Sequence, residues 1–223
     1  MRVGIITYDY EHLKTEQIVS NLVLDKRILE IKLFALPFLK RKERKVLFKH
    51  RPNQNLGTHT CKLKELDKVT FETWTGNEVI SDMVDFFVIT GAGIIDINFA
   101  KGKPIVNAHP GIIPTSRGLD SFKWAILNGD KIGITLHLID KDVDKGKILC
   151  IKKTPIFCKD TIEALARRHY ELEIFMLSRI LDVLEERLIS KEKEKKARLR
   201  MPKEIEKKML QEFEKWKKKQ LNI

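Results

Sequence analysis

The chain has 223 residues, 43% of them apolar and 33% charged, with a net charge of +12. That length suits one domain with an appendage, large enough to bury a core without staples, and the composition is that of a globular protein on the charged side. Three cysteines, Cys61, Cys150 and Cys158, build no disulfide framework, and no apolar run approaches the roughly 20 residues of a membrane span. Met1-Arg2 leads straight into residues 3–6, an apolar run too short for a signal segment. A cytoplasmic protein with reduced thiols is therefore expected.

The charge is uneven. Residues 32–51 hold eight Lys/Arg against one Glu, and residues 186–223 hold fourteen Lys/Arg against seven Glu, so the remainder is near neutral. Two basic segments suit nucleic acid, an anionic membrane or a phosphorylated substrate, with a solvated lysine face as the plain alternative.

Residues 2–8 (RVGIITY) are apolar and β-rich and read as a buried strand. Residues 9–12 form a loop. Ile18, Val19, Leu22 and Val23 after Thr15 predict a helix with one apolar face. Residues 28–36 resume strand character, with Ile31, Leu33 and Ala35 alternating. This βαβ opening predicts an α/β fold on an open, mostly parallel, Rossmann-like sheet. Residues 37–60, with the basic run Lys40-Arg41-Lys42, read as a long loop holding one short helix at most. Residues 76–84 predict a helix on Val79, Ile80, Met83 and Val84. Residues 85–90 (DFFVIT) predict a strand ending in Gly91-Ala92-Gly93, and Ile105-Val106 the next strand. Residues 119–128 predict a helix stopped by Gly129. Residues 132–139 and 147–151 read as strands, and Asp160-Thr161 opens a long helix running through Leu165 and Leu172 to Leu184.

Beyond residue 185 the composition turns to Lys and Glu. Ile205, Met209, Phe213 and Trp216 recur at helical spacing behind Pro202, which suits a first turn. The expected organisation is a domain over 1–185 with a basic amphipathic helical tail over 186–223. The tail's apolar face needs a cover, either the domain itself or a second copy at a homodimer interface.

The chemistry concentrates in residues 104–146. An apolar run ends in Asn107 and His109, and Pro110, Gly111 and Pro114 then stop regular structure. In a strand, i and i+2 face the same side, so Asn107 and His109 aim at one point past the strand end. A later strand ends in the acidic turn that carries Asp144. An amide donor, an imidazole and a carboxylate at strand ends suit proton transfer. On three residues alone, a strand-end Asn and His satisfied by backbone, with an Asp in a turn, fits as well. Asp140-x-Asp142-x-Asp144 begins like a calcium loop, but Lys145 stands where glycine is needed and Ile151 where a bidentate Glu is needed. Gly91-Ala92-Gly93 is half a dinucleotide fingerprint, with Asp96 at the third glycine position. His59 and Cys61 lack metal-spaced partners, so no metal is expected.

Asn107-x-His109-Pro110 with its apolar pair and Pro114, Arg117-Gly118, Gly133-x-Thr135-x-His137 and Asp144-x-Gly146 together resemble the folate-dependent formyltransferases. That family includes glycinamide ribonucleotide formyltransferase, methionyl-tRNA formyltransferase and the nucleotide-linked amino-sugar N-formyltransferases. The resemblance is specific over residues 105–148, looser over 1–105, and does not reach the tail. It implies an N-formyltransferase in which a primary amine attacks the formyl carbon of 10-formyltetrahydrofolate. Asn107 would donate to the oxyanion, His109 would assist as donor or proton shuttle, and Asp144 would orient His109 and help remove the amine proton. His137 would support the site from beneath. The resemblance assigns the folate to Gly91, Ala92, Gly93 and Ile94 and to the turn of Asp140, Asp142 and Val143.

The first loop, residues 7–12, carries two acids and no glycine, where glycinamide ribonucleotide enzymes of the family carry a glycine-rich phosphate cradle. The tail is short and helical, where methionyl-tRNA formyltransferases carry a β-rich domain. The expected acceptor is thus a nucleotide-linked amino-deoxy sugar, as in polysaccharide biosynthesis, its diphosphate meeting Lys49, Arg51 or Arg117. The alternatives are glycinamide ribonucleotide, hydrolysis of the formyl donor and, in another class, a non-catalytic RNA-binding protein. The last lacks the aromatic clusters of base-stacking surfaces, and no membrane partner is expected.

Overall fold

A computed structural model describes residues 1–39, 45–93, 95–140, 146–188 and 194–223. The strands are β1 (Arg2–Tyr8), β2 (Glu30–Leu36), β3 (Val69–Thr73), β4 (Phe86–Ile89), β5 (Ile105–His109), β6 (Gly133–Leu138) and β7 (Ile148–Lys153). The helices are α1 (Leu13–Leu22), α2 (Ser121–Asn128), α3 (Ile162–Ser178) and α4 (Lys203–Leu221). The sheet runs in the order β3-β2-β1-β4-β5-β6-β7. Pairs β1–β2, β2–β3, β1–β4 and β4–β5 are parallel, and β6–β7 is antiparallel. This is the open, mostly parallel α/β sheet expected from the βαβ opening, with the order reversing at β1/β4.

The chain forms two compact units. The first comprises Met1–Arg41, Asn53–Asn107 and Met176–Asp182. Val3, Ile5, Ile6, Phe86, Phe87 and Val88 are fully buried, which is why β1 and β4 read as continuous apolar runs rather than alternating ones. α1 buries Ile18, Val19 and Leu22, and its Thr15 hydroxyl lies 2.6 Å from that of Thr7 on β1. The second unit comprises Lys42–Pro52, Ala108–Phe175 and Val183–Ile223. Its core joins Phe48, Phe122 and Ile126 to Leu165 and to Met209, Phe213 and Trp216 of α4. The tail helix is thus part of this core. Lys123 of α2 donates to the Phe48 carbonyl at 2.7 Å and pairs with Glu206 of α4, both ion-pair partners being buried. Burial works to raise the Glu206 carboxyl, but Lys123 and the Leu47 N–H outweigh it and hold the group below its ordinary value.

Three expectations are corrected. Residues 76–84 form no α-helix. Gly76 takes φ +96, the Glu78 carboxylate turns back to accept from Thr75, and only Ser81–Met83 make one 3-10 turn. The long helix stops at Ser178 and a 3-10 turn, Ile180–Asp182, follows, with Asp182 drawn to Arg27 and Arg179. β3 was not anticipated: it is an edge strand that buries Val69 alone, and its Val69-x-Phe71 alternation is short. Among the described residues, no helix is long and apolar enough to cross a membrane.

Candidate active site

β5 carries Asn107 and His109 two residues apart, so they share a face of the strand. His109 is buried, and the turn after the strand holds its ring. Nε2–H donates to the Ser116 carbonyl at 2.7 Å, and Ser121 Oγ lies 3.1 Å from the same nitrogen. Ser121 gives its own proton to the Gly118 carbonyl at 2.8 Å, so its lone pairs face the ring. A carbonyl only accepts, so Nε2 carries a proton there. Gly111 makes this closeness possible. A Cβ there would lie 2.6 Å from the Ser116 carbonyl oxygen and 2.7 Å from His109 Nε2.

Two further side chains pin the turn. Thr135 of β6 donates to the Gly111 carbonyl at 2.7 Å and accepts from the Ile113 N–H at 3.1 Å. His169 of α3 donates from Nε2 to the Pro110 carbonyl at 3.3 Å and accepts at Nδ1 from Thr154 at 2.7 Å. Burial pushes His169 down to about 4, so it stays neutral at pH 7 and keeps one tautomer. The role of Thr135 was signalled by its place in the matched Gly-x-Thr-x-His run. His169 sits in a charged stretch with no motif around it, and Ser121 opens a helix like many serines. His137 is buried on β6, donating from Nδ1 to the Leu138 carbonyl at 3.0 Å.

The other candidates fall as follows. Asp144, Asp142, Val143 and Ile94 lie outside the described residues. Asp140 is exposed beyond β6, in the second unit. Gly91, Ala92 and Gly93 follow β4 in the first unit, grading from buried to exposed. Lys49 is exposed. Arg51 pairs with the buried Glu173 and lies 5.9 Å over the Tyr170 ring. Arg117 is buried and pairs with Glu194. Next to Arg51, His50 stacks on Phe122 and is pushed well down by burial and then by Lys123. Among the described residues, no group of three or more His, Cys, Asp or Glu could hold a metal ion.

In the first unit, the start of α1 is covered by its own chain. The Lys14 N–H donates to Gln54 Oε1 at 2.9 Å, the His12 N–H to the Thr58 carbonyl at 3.2 Å, and Glu16 accepts from the Thr58 N–H at 2.6 Å. Gly57 lies so close that a Cβ would come within 2.2 Å of the Leu13 nitrogen. Backbone donors that would otherwise cradle an anion at a helix N-terminus are thereby engaged or screened. Beyond β1, Tyr10 stacks on Phe38 at 4.3 Å and Tyr8 meets the same ring edge-on at 5.4 Å.

The formyl transferase family model matches residues 41–181. A phosphoribosylglycinamide formyltransferase of Haemophilus influenzae is 37% identical over 103 residues, 44% of this chain and 48% of that protein. A methionyl-tRNA formyltransferase of Sulfurimonas denitrificans is 33% identical over 110 residues, 48% of this chain and 35% of that protein. The chain spans less than half the length of these curated relatives. In fold it is similar to a sugar N-formyltransferase from a Shewanella species, with TM-score 0.60 and 20% identity over 87% of this chain and 75% of that one. It is likewise similar to a phosphoribosylglycinamide formyltransferase from Anaplasma phagocytophilum, with TM-score 0.59 and 19% identity over 82% of this chain and 86% of that one. With the family match covering more than half of its residues and the buried strand-end histidine inside that match, the chain belongs to the formyl transferase family.

Proposed function

We propose that this chain transfers a formyl group from 10-formyltetrahydrofolate to the primary amine of a nucleotide-linked amino-deoxy sugar. The neutral amine attacks the formyl carbon. Asn107 donates to the oxyanion that develops, and His109 and Asp144 carry the amine proton away. The new N–C bond replaces the bond from the formyl carbon to the folate nitrogen, and that nitrogen ends with the proton. The folate is assigned to Gly91, Ala92, Gly93 and Ile94 and to Asp140, Asp142 and Val143. Lys49 is available to the diphosphate. Arg51 and Arg117 would each trade a carboxylate for it, Arg117 more readily because Glu194 is 54% exposed whereas Glu173 is 0% exposed.

The observation that carries the choice of acceptor is the closed start of α1. A ribonucleotide acceptor held through a phosphate cradle after the first strand has no counterpart there, because Gln54 and Thr58 take the backbone groups. Single replacement of Asn107, His109 or Asp144 by Ala should lower turnover by about 10²–10³ with folding retained. Near wild-type turnover by His109→Ala, with any amine the protein accepts, would remove the histidine from the mechanism.

A further inference from the structure

The second unit holds a pocket of about 280 Å³ beside Thr115 and Ser116. One wall is the Trp124 indole of α2, and the other is the chain around Lys195, Lys196 and Arg198. That chain is stapled in place. The Lys195 N–H donates to the Pro114 carbonyl at 3.1 Å, the Arg198 N–H to the Arg117 carbonyl at 2.9 Å, and the Leu119 N–H to the Arg198 carbonyl at 2.8 Å. Trp124 donates from Nε1 to the Leu199 carbonyl at 2.8 Å, so the indole presents only its carbon surface. Each wall is thus held independently of any ligand.

The lining is charged in one sense. It includes three cations and no carboxylate. Lys195 is paired with Asp130 at 2.9 Å, on a residue outside the lining. Lys196 has no ion pair among the described residues, and the Arg198 guanidinium lies 5.1 Å over the Trp124 ring with no carboxylate partner there. The Thr115 hydroxyl donates to the Ile112 carbonyl at 3.0 Å and that of Ser116 to the Ser121 carbonyl at 3.4 Å, so the neutral hydroxyls are spent internally. The donors left to a ligand are an ammonium, a guanidinium and the Asn128 amide. Like charges in a concave, partly apolar site reinforce one another and attract an anion, and ammonium and guanidinium groups suit phosphoryl oxygens. The volume is just under the roughly 300–1,000 Å³ of ligand sites, which fits a small phosphorylated molecule rather than a polymer.

We propose that this pocket binds a phosphorylated small molecule, its phosphoryl oxygens on Lys196, Arg198 and Asn128 and its ring along Trp124. The proposal does not depend on the formyl-transfer reading. The test is calorimetric titration of the full chain at low salt with uridine diphosphate, inorganic pyrophosphate and a short single-stranded RNA. Uridine diphosphate should bind saturably at a site that survives Lys49→Glu, and more tightly there than pyrophosphate. K196E/R198E should weaken it about tenfold or more. K215E/K218E, with the same change of net charge on exposed lysines of α4, should leave it unchanged. Circular dichroism melts should match for both variants. Lys49→Glu, which touches only the acceptor assignment, should also leave binding intact. Loss with Lys49→Glu alone, equal loss in both double variants, absence of saturable binding, or tighter binding of RNA with a steep salt slope would each overturn the proposal.

Discussion

At the scale of single residues, the turn after β5 leaves least room for change. Gly111 faces the His109 ring and the Ser116 carbonyl at distances no Cβ tolerates. Gly111→Ala should therefore displace the imidazole and lower turnover by about a hundredfold, with a smaller effect on melting temperature. Unchanged turnover would show that the ring is not held as described. His169 gives a test by pH. Its folded value is about 4, against 6.5 for an ordinary histidine, because burial disfavours the charged ring. Between those values the unfolded chain binds a proton that the folded chain does not. Stability is therefore full above about pH 6.5 and falls as pH drops toward 4, by on the order of 3 kcal/mol from this group. His50 is pushed in the same direction by burial. Thermal melts between pH 7 and about 4 should show the fall, and His169→Gln should make it shallower.

At the scale of elements, α4 is joined to the second unit by a buried charge pair as well as by apolar packing. Lys123→Met would strand the buried Glu206 carboxylate with no cation beside it, only backbone donors such as the Leu47 N–H at 2.6 Å. That change should cost about 3–5 kcal/mol in denaturant melts, and adding Glu206→Met should recover much of it. The same scale shows what the sequence could disclose. β1 and β4 were legible because strands buried on both faces are near-continuous apolar runs, and β5 because the apolar pair Ile105-Val106 leads into Asn107 and His109 and is stopped by Pro110 and Gly111. β3 was hidden because an edge strand has little to bury. The spacing of Ile80 and Val84 imitated a helix, since both are buried without one. His169 was not legible at all, because its partners Thr154 and Pro110 are 15 and 59 residues away. Only the fold brings them together.

At the scale of the molecule, the positive charge gathers in one place. The basic stretches on either side of residue 50 and beyond residue 185 both contribute to the second unit, so much of the net +12 is carried there. Met209, Phe213 and Trp216 turn one face of α4 into the core, and most of its lysines remain outward. α4 is therefore packed structure, and the outward charge of its lysines attracts anions from solution. This agrees with the closed start of α1 in the first unit, which withdraws one familiar place for a phosphate. The direct measurement is kcat/KM for formyl transfer from 10-formyltetrahydrofolate to a nucleoside-diphosphate-linked amino-deoxy sugar, to the same sugar without its nucleotide, and to glycinamide ribonucleotide, with products followed by mass spectrometry. Efficient formylation of the nucleotide-linked sugar is expected, and little of the other two. Efficient turnover of glycinamide ribonucleotide with none on nucleotide-linked sugars would contradict this expectation.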